Sequence, residues 1–216
     1  DRRLAAVARA TPVLRLFMTA PGVGVITALS VASVFDDASR FRRSSSAGAC
    51  LGLTPRRYES GETSRNGRIS KQGNSSVRKM LVEAAWSAQS APGPLRSFFA
   101  RIRSNRGAAS AIVAPARKLT VLIWHLLSKN QEYAFARPAF QAMKLRKVAL
   151  RAGAPREYGK ASPGRDYWIK EIRHREMDDV KRAEEAYAKM VEAWRQTPPK
   201  EPLNRAFFYR GGRAGR

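Results

Sequence analysis

The chain has 216 residues, is 44% hydrophobic, and sets 41 lysines and arginines against 17 aspartates and glutamates, a formal net charge of +24. That length and apolar share suffice for one core and exclude wholesale disorder, and a single cysteine, Cys50, excludes an internal disulfide and a cysteine-built zinc site. The charge excess opposes compaction unless a polyanion neutralises it, which points to nucleic acid ahead of an anionic membrane surface.

From the N-terminus, Thr11-Pro12 is a helix start, with Thr at the N-cap and Pro at the first helical position. "VLRLFMT" follows, then the turn "APGVG", then a second apolar helix over 25–35. The apolar run 20–35 is too short for a membrane span and is broken near its start by Pro21-Gly22-Val23-Gly24, so no membrane partner is expected. Helix, Gly-rich hairpin, helix is an arrangement that can face phosphate. Gly22 and Gly24 would let backbone amides approach an anion, beside the positive N-terminus of the second helix. A tight turn between packed helices is the competing reading. A small-residue helix is expected near 44–51.

The next stretch, "ESGETSRNGRISKQGN" (59–74), holds one aliphatic side chain, Ile69, and reads as a long irregular loop. Arg56, Arg57, Arg65, Arg68, Lys71 and Arg78 surround it, a cluster suited to positioning phosphates without reading sequence. Its serines admit a nucleophile, provided a base removes the proton and cations hold the charge on phosphorus. Asn74 is an N-cap signal for "SSVRKMLVEAAWSAQS", with Val77, Met80, Leu81, Ala84 and Ala85 spaced to face a core. "LRSFFARIRS" predicts another helix. "AASAIVAPARKLTVLIWHLLSKN" predicts a long apolar one, kinked at Pro115.

Past Asn130 the composition shifts. Residues 131–166, basic with scattered Gly and Pro, read as a partly ordered arm. A strong amphipathic helix is expected over 167–197, with Asp178–Arg182 and Glu185–Lys189 as i,i+4 pairs. Residues 198–216 read as a disordered tail, though "RAFFYRGGRAGR" has a composition suited to single-stranded nucleic acid. His125 and His174 have no spacing partner and are expected to be structural or solvated.

Taken in order, Pro21-Gly22-Val23-Gly24 with Thr27-Ala28, Arg40-Phe41, Gly52-Leu53-Thr54-Pro55, Ser60-Gly61, the run from Gly67 through Asn74, and Arg78 strongly resemble the C-terminal domain of the insertion-sequence 110/116/902 transposase family. The resemblance extends over 12–153 and leaves 154–216 unmatched. It implies a mainly α fold: a helix-hairpin-helix-like element (12–35), a serine loop (53–74) and a helical part (75–130) in a compact domain over 1–130, followed by the basic arm and the long helix. It implies a recombinase that moves a DNA element in the bacterial cytoplasm, in some members directed by a structured guide RNA.

The active site so implied is composite. A resolvase-like N-terminal domain supplies acidic ligands for Mg²⁺, and the C-terminal domain supplies a serine that becomes joined to DNA. By motif position that serine is Ser60, with Ser70 second and Ser64 weaker. The glycine hairpin and the basic cluster read above give the expected DNA contacts as Gly22, Gly24, Arg56, Arg57, Arg65, Arg68, Lys71 and Arg78. Asp36, Asp37, Glu59, Glu62 and Glu83 are too few and too scattered to replace the acidic domain, so no metal or cofactor is expected on this chain. The expectation is therefore either the C-terminal part of a longer recombinase, inactive alone and open to homo-oligomerisation, or a truncated copy that binds nucleic acid without chemistry.

Overall fold

The computed structural model describes residues 1–60, 63–159 and 162–196. The expected tail over 198–216 lies outside them, as do Gly61 and Glu62. Among the described residues the fold is mainly helical. Helices α1 (Arg2–Ala10), α2 (Pro12–Phe17), α3 (Val25–Phe35) and α4 (Ser44–Cys50) come first. A single antiparallel hairpin, β1 (Pro55–Ser60) and β2 (Thr63–Ile69), interrupts them. Helices α5 (Ser75–Ser90), α6 (Pro94–Arg106), α7 (Ala108–Ala111), α8 (Val113–Lys129), α9 (Pro138–Arg151) and α10 (Lys170–Gln196) complete the chain.

Helices α5 and α8 lie against each other at the centre. Leu81, Ala84 and Ala85 from α5 meet Leu119 and Ile123 from α8 in one core with Phe17, Phe35, Leu51 and Leu53. Met80, expected on that face, is instead 37% exposed. Its neighbours Val77, Leu81 and Ala84 already fill the i, i+4, i+7 stripe, and position 80 falls at its margin. The Asn74 cap forms as read: its Oδ1 accepts from the amides of Ser76 (3.0 Å) and Val77 (3.1 Å), satisfying two donors that helix geometry leaves open.

The helix is interrupted at Ile112, between α7 and α8, where Pro115 in the first turn of α8 offers no N–H to the Ala111 carbonyl four residues earlier. By length and composition the stretch 108–129 could cross a membrane. Here its buried residues, among them Ala116, Leu119, Ile123 and Leu126, fill the protein core.

Two further expectations change. Residues 138–151, read as part of a loosely ordered arm, form helix α9, which packs on α1 and buries Ala139, Met143 and Val148. The long helix α10 lies along α6. Glu184 of α10 accepts from Nε (2.8 Å) and Nη2 (2.7 Å) of Arg96 and from the Gly93 amide (3.0 Å). Its surface pairs form one residue tighter than expected, Asp178 with Lys181 and Asp179 with Arg182.

The hairpin between α2 and α3 is packed rather than presented. Gly22 has φ +75°, and a Cβ there would lie 2.0 Å from the Ala84 carbonyl oxygen of α5. Glycine is required at 22 because the turn touches a helix backbone. Gly24, at the N-cap of α3, has open space around its missing side chain. The buried Lys144 Nζ of α9 donates to the carbonyls of Met18 (2.6 Å) and Val23 (2.5 Å), clamping both ends of the turn. Burial pushes that ammonium down from its ordinary pKa to about 8. Tyr133 N donates to Thr19 Oγ1 (3.1 Å) on the same side, and burial pushes the Tyr133 phenol up to about 12.

Candidate nucleic-acid interface

The polar stretch expected to be an irregular loop is a β-hairpin whose root is locked and whose first strand is exposed. The lock is made by backbone. Gly52 (φ +65°) would put a Cβ 2.1 Å from the Gln72 carbonyl oxygen, and Gly73 (φ +82°) would put one 1.9 Å from that of Cys50. The incoming segment 50–53 and the outgoing segment 71–73 therefore cross with no room for side chains. Lys71 N donates to Gly52 O (3.1 Å) and Ser70 N to Thr54 O (2.8 Å), extending the crossing into the β ladder. Leu51 and Leu53 are buried in the core directly below.

Arg78 takes part in the lock. Its Nη1 donates to the carbonyls of Leu51 (3.0 Å) and Gln72 (3.3 Å), tying the first turn of α5 to both sides of the crossing. Sequence reasoning expected this half-buried arginine at DNA; here one of its nitrogens braces the crossing. Arg56, next to a register irregularity between Pro55 and Arg57, donates from Nη2 to Ser70 O (3.3 Å) and so braces the root from the exposed side. Ser70 sits at that root, half-buried, with its backbone N–H and carbonyl both used.

Above the root the strands pair Tyr58 with Arg65 and Ser60 with Thr63. Residues two apart on a strand share a face, and directly opposed residues share it too. Tyr58, Ser60 and Arg65 are therefore on one face, and Arg57 and Glu59 on the other, where Arg57 Nη1 and Glu59 Oε1 lie 3.4 Å apart. Every residue of β1 is exposed, and Ser60 is its last. Arg65, Arg68 and Lys71 are exposed as well. The structure thus puts Ser60 and Arg65 on one face of the hairpin and Arg57 on the other, with Arg68 and Lys71 near the root, away from Ser60. It leaves Ser70 at the far end of the hairpin, and Gly22 and Gly24 on another element. Among the described residues no group of three or more His, Cys, Asp and Glu side chains is arranged to hold a metal ion. The residues present do not fit a Mg²⁺ site, and no step below runs through one.

With the geometry in view, the family model described as Transposase IS116/IS110/IS902 family matches residues 14–100, from α2 through most of α6. Over that segment the chain is similar to this transposase family. The match takes in the α2–α3 turn, the locked hairpin and Ser60. Similar proteins include the transposase for insertion sequence element IS1111A of Coxiella burnetii, 33% identical over 137 residues that make up 62% of this chain and 38% of the relative. The transposase for insertion sequence element IS1328 of Yersinia enterocolitica is 40% identical over 68 residues, 32% of this chain and 20% of the relative. The chain thus spans well under half the length of these curated relatives.

Sequence reading missed three features of this region. The hairpin itself was missed because nothing in 55–69 alternates apolar with polar. The lock was missed because glycine pairs that meet in space, Gly52 near Gln72 and Gly73 near Cys50, carry no mutual spacing rule. Two arginines beside the hairpin, Arg106 and Arg117, were missed because they come from helices whose other faces read as core.

Proposed function

We propose that this chain is the DNA-holding and nucleophile-bearing part of a transposase, with Ser60 as the attacking group and the basic hairpin as its phosphate cradle. The observation that carries the reading is Ser60 at the exposed end of β1, on the same face as Arg65, above a root that backbone crossings hold rigid. In-line attack on phosphorus demands a nucleophile fixed to within about an ångström, and a hairpin anchored this way supplies that precision without a core of its own. The family similarity over residues 14–100 supports the reaction class.

The step is a transesterification with no change of oxidation state. Ser60 Oγ forms a bond to phosphorus, the bond from phosphorus to one bridging sugar oxygen breaks, the serine proton leaves to a base, and the departing oxygen takes up a proton. Arg65 offsets the charge that develops on the non-bridging oxygens. Glu59, adjacent in sequence, is on the other face of the strand beside Arg57, so it does not serve as the base. The carboxylates and Mg²⁺ that the family resemblance implies would come from outside the described residues, as would any guide RNA; double-stranded DNA is the substrate we assign.

In a recombination-competent protein carrying this sequence, Ser60→Ala abolishes strand exchange and the denaturant-stable protein–DNA adduct, while DNA affinity stays at the wild-type value because only a hydroxyl is lost. In the wild type, mass spectrometry maps the adduct to the β1–β2 hairpin. Strand exchange that survives Ser60→Ala and dies with Ser70→Ala refutes the assignment and moves the nucleophile to the root.

A further inference from the structure

Beside the hairpin root lies an open groove of about 1070 Å³. One wall is the root itself, with Arg68 and Lys71. The other is built from the end of α6, the short α7 and the start of α8, with Arg106 and Arg117. Its floor is aliphatic, from Leu53, Ile69, Ile102 and Val113. Arg68, Lys71 and Arg106 are exposed and Arg117 is half-buried. No aspartate or glutamate lines the groove, and among the described residues none of these four cations takes part in an ion pair. Four positive charges around one depression repel one another, and the arrangement is stable in proportion to the anion that fills it.

The chemistry of the lining identifies the anion. Two guanidinium groups on one wall and a guanidinium and an ammonium on the other suit a run of phosphates, since arginine forks match phosphate geometry. The groove contains no aromatic side chain on which a base could stack, which sets it apart from the platforms that hold unpaired strands. We infer that this groove is a second phosphodiester seat, taking the backbone of duplex DNA that flanks the strand held at the hairpin tip. The inference rests on the functional reading above for its partner, and adds Arg106 and Arg117 to the contact set. Arg68 belongs to β2 and with Lys71 lines the groove, so the groove adjoins the hairpin and continues its cationic surface. That surface gives the tip its approach direction: a duplex seated in the groove reaches Ser60 along the hairpin.

The test separates this inference from the reading it rests on. Binding of a fluorescein-labelled, mixed-sequence DNA duplex to the 216-residue chain is followed by anisotropy across a chloride series. Wild type is compared with Arg106→Gln/Arg117→Gln in the groove and Arg57→Gln/Arg65→Gln on the hairpin. Each neutralised phosphate contact contributes about 0.9 to the slope of log K against log salt on duplex DNA, so the groove pair lowers the slope by about 1.8. Glutamine keeps part of the arginine stem, so the side of Arg117 that runs past Gly48 stays filled, and a thermal melt verifies that the variants fold. Arg106→Lys/Arg117→Lys keeps both charges and restores the slope. An unchanged slope in the groove pair beside a reduced one in the hairpin pair overturns the groove and leaves the hairpin reading standing. The opposite pattern supports the groove and overturns the hairpin as a DNA contact. No loss in either pair overturns both. A loss seen with the isolated single strand and absent with the duplex overturns the duplex assignment.

Discussion

Gly22→Ala distinguishes a packed turn from a phosphate-facing one. A methyl group at 22 would start 2.0 Å from the Ala84 carbonyl oxygen and 2.9 Å from the Ala88 amide nitrogen, whereas ordinary contact begins near 3.4 Å, so turn and helix must separate by more than an ångström. The φ of +75° adds a left-handed backbone, which costs an alanine about 1–2 kcal/mol. Overpacking against α5 adds a further cost of about 1–3 kcal/mol. A total near 3 kcal/mol in a chain of this size lowers the melting temperature by about 6–12 °C. Gly24→Ala is the control. Nothing lies within 4 Å of its added methyl, its φ of −96° carries no strain, and only the N-cap preference is lost, worth about 1 kcal/mol or less. Differential scanning fluorimetry reads both. DNA anisotropy on the folded Gly24 variant then reports whether that open amide meets phosphate. A Gly22→Ala protein that melts within about 2 °C of wild type would refute the packing argument, because it would mean the turn stands clear of α5.

Two further predictions concern the helices that hold the frame. Lys144→Met removes the donor that joins Met18 and Val23, leaving two carbonyls short of a partner at a cost of about 1–3 kcal/mol. The same variant changes the pH profile. With its pKa lowered from 10.5 to about 8 by burial, native Lys144 sheds its proton before the unfolded chain does, so wild-type stability gains as pH rises through that window. Urea titrations should find the gain missing in the variant, and an identical pH slope in both proteins would refute the burial argument. Glu184→Gln weakens the links to Arg96 and the Gly93 amide. Hydrogen exchange should accelerate along α10 while α5 and α8 keep their protection, and uniform acceleration across all helices would show that α10 is no separate unit.

The helices could be read from the sequence wherever a local rule was complete in itself. Asn74 announced α5 because an N-cap acts within three residues. Pro12 and the 25–35 apolar run announced α2 and α3 for similar reasons. Reading failed where partners are distant. Residues 138–151 looked like an arm because they belong to 131–166, which is basic with Gly and Pro scattered through it, yet the Lys144 head donates to two carbonyls from a turn more than 120 residues earlier. Arg78 looked like a phosphate ligand because it follows a basic loop, and what it meets is the chain's own carbonyl oxygens. Ser60 was located by motif order; its exposure at a strand end and its common face with Arg65 needed the β register.

The hairpin shows why such a register was hidden. A two-stranded ribbon with no buried face is marginal in water, and its composition gives neither strand a side to hide. Its stability must come from below, and the geometry says how. The β ladder continues into the crossing of 50–53 with 71–73, the crossing requires glycine at two points, and Leu51 and Leu53 carry the load into the core. Polar residues above that root are then free of any packing duty. Those of β1 are exposed while being held by an anchored stem, which is the combination that a nucleophile facing a charged polymer needs. A flexible loop of the same composition would expose the serine equally well but would leave its direction of attack undefined. The backbone crossing at the root is therefore as much a part of the proposed site as the serine at its tip.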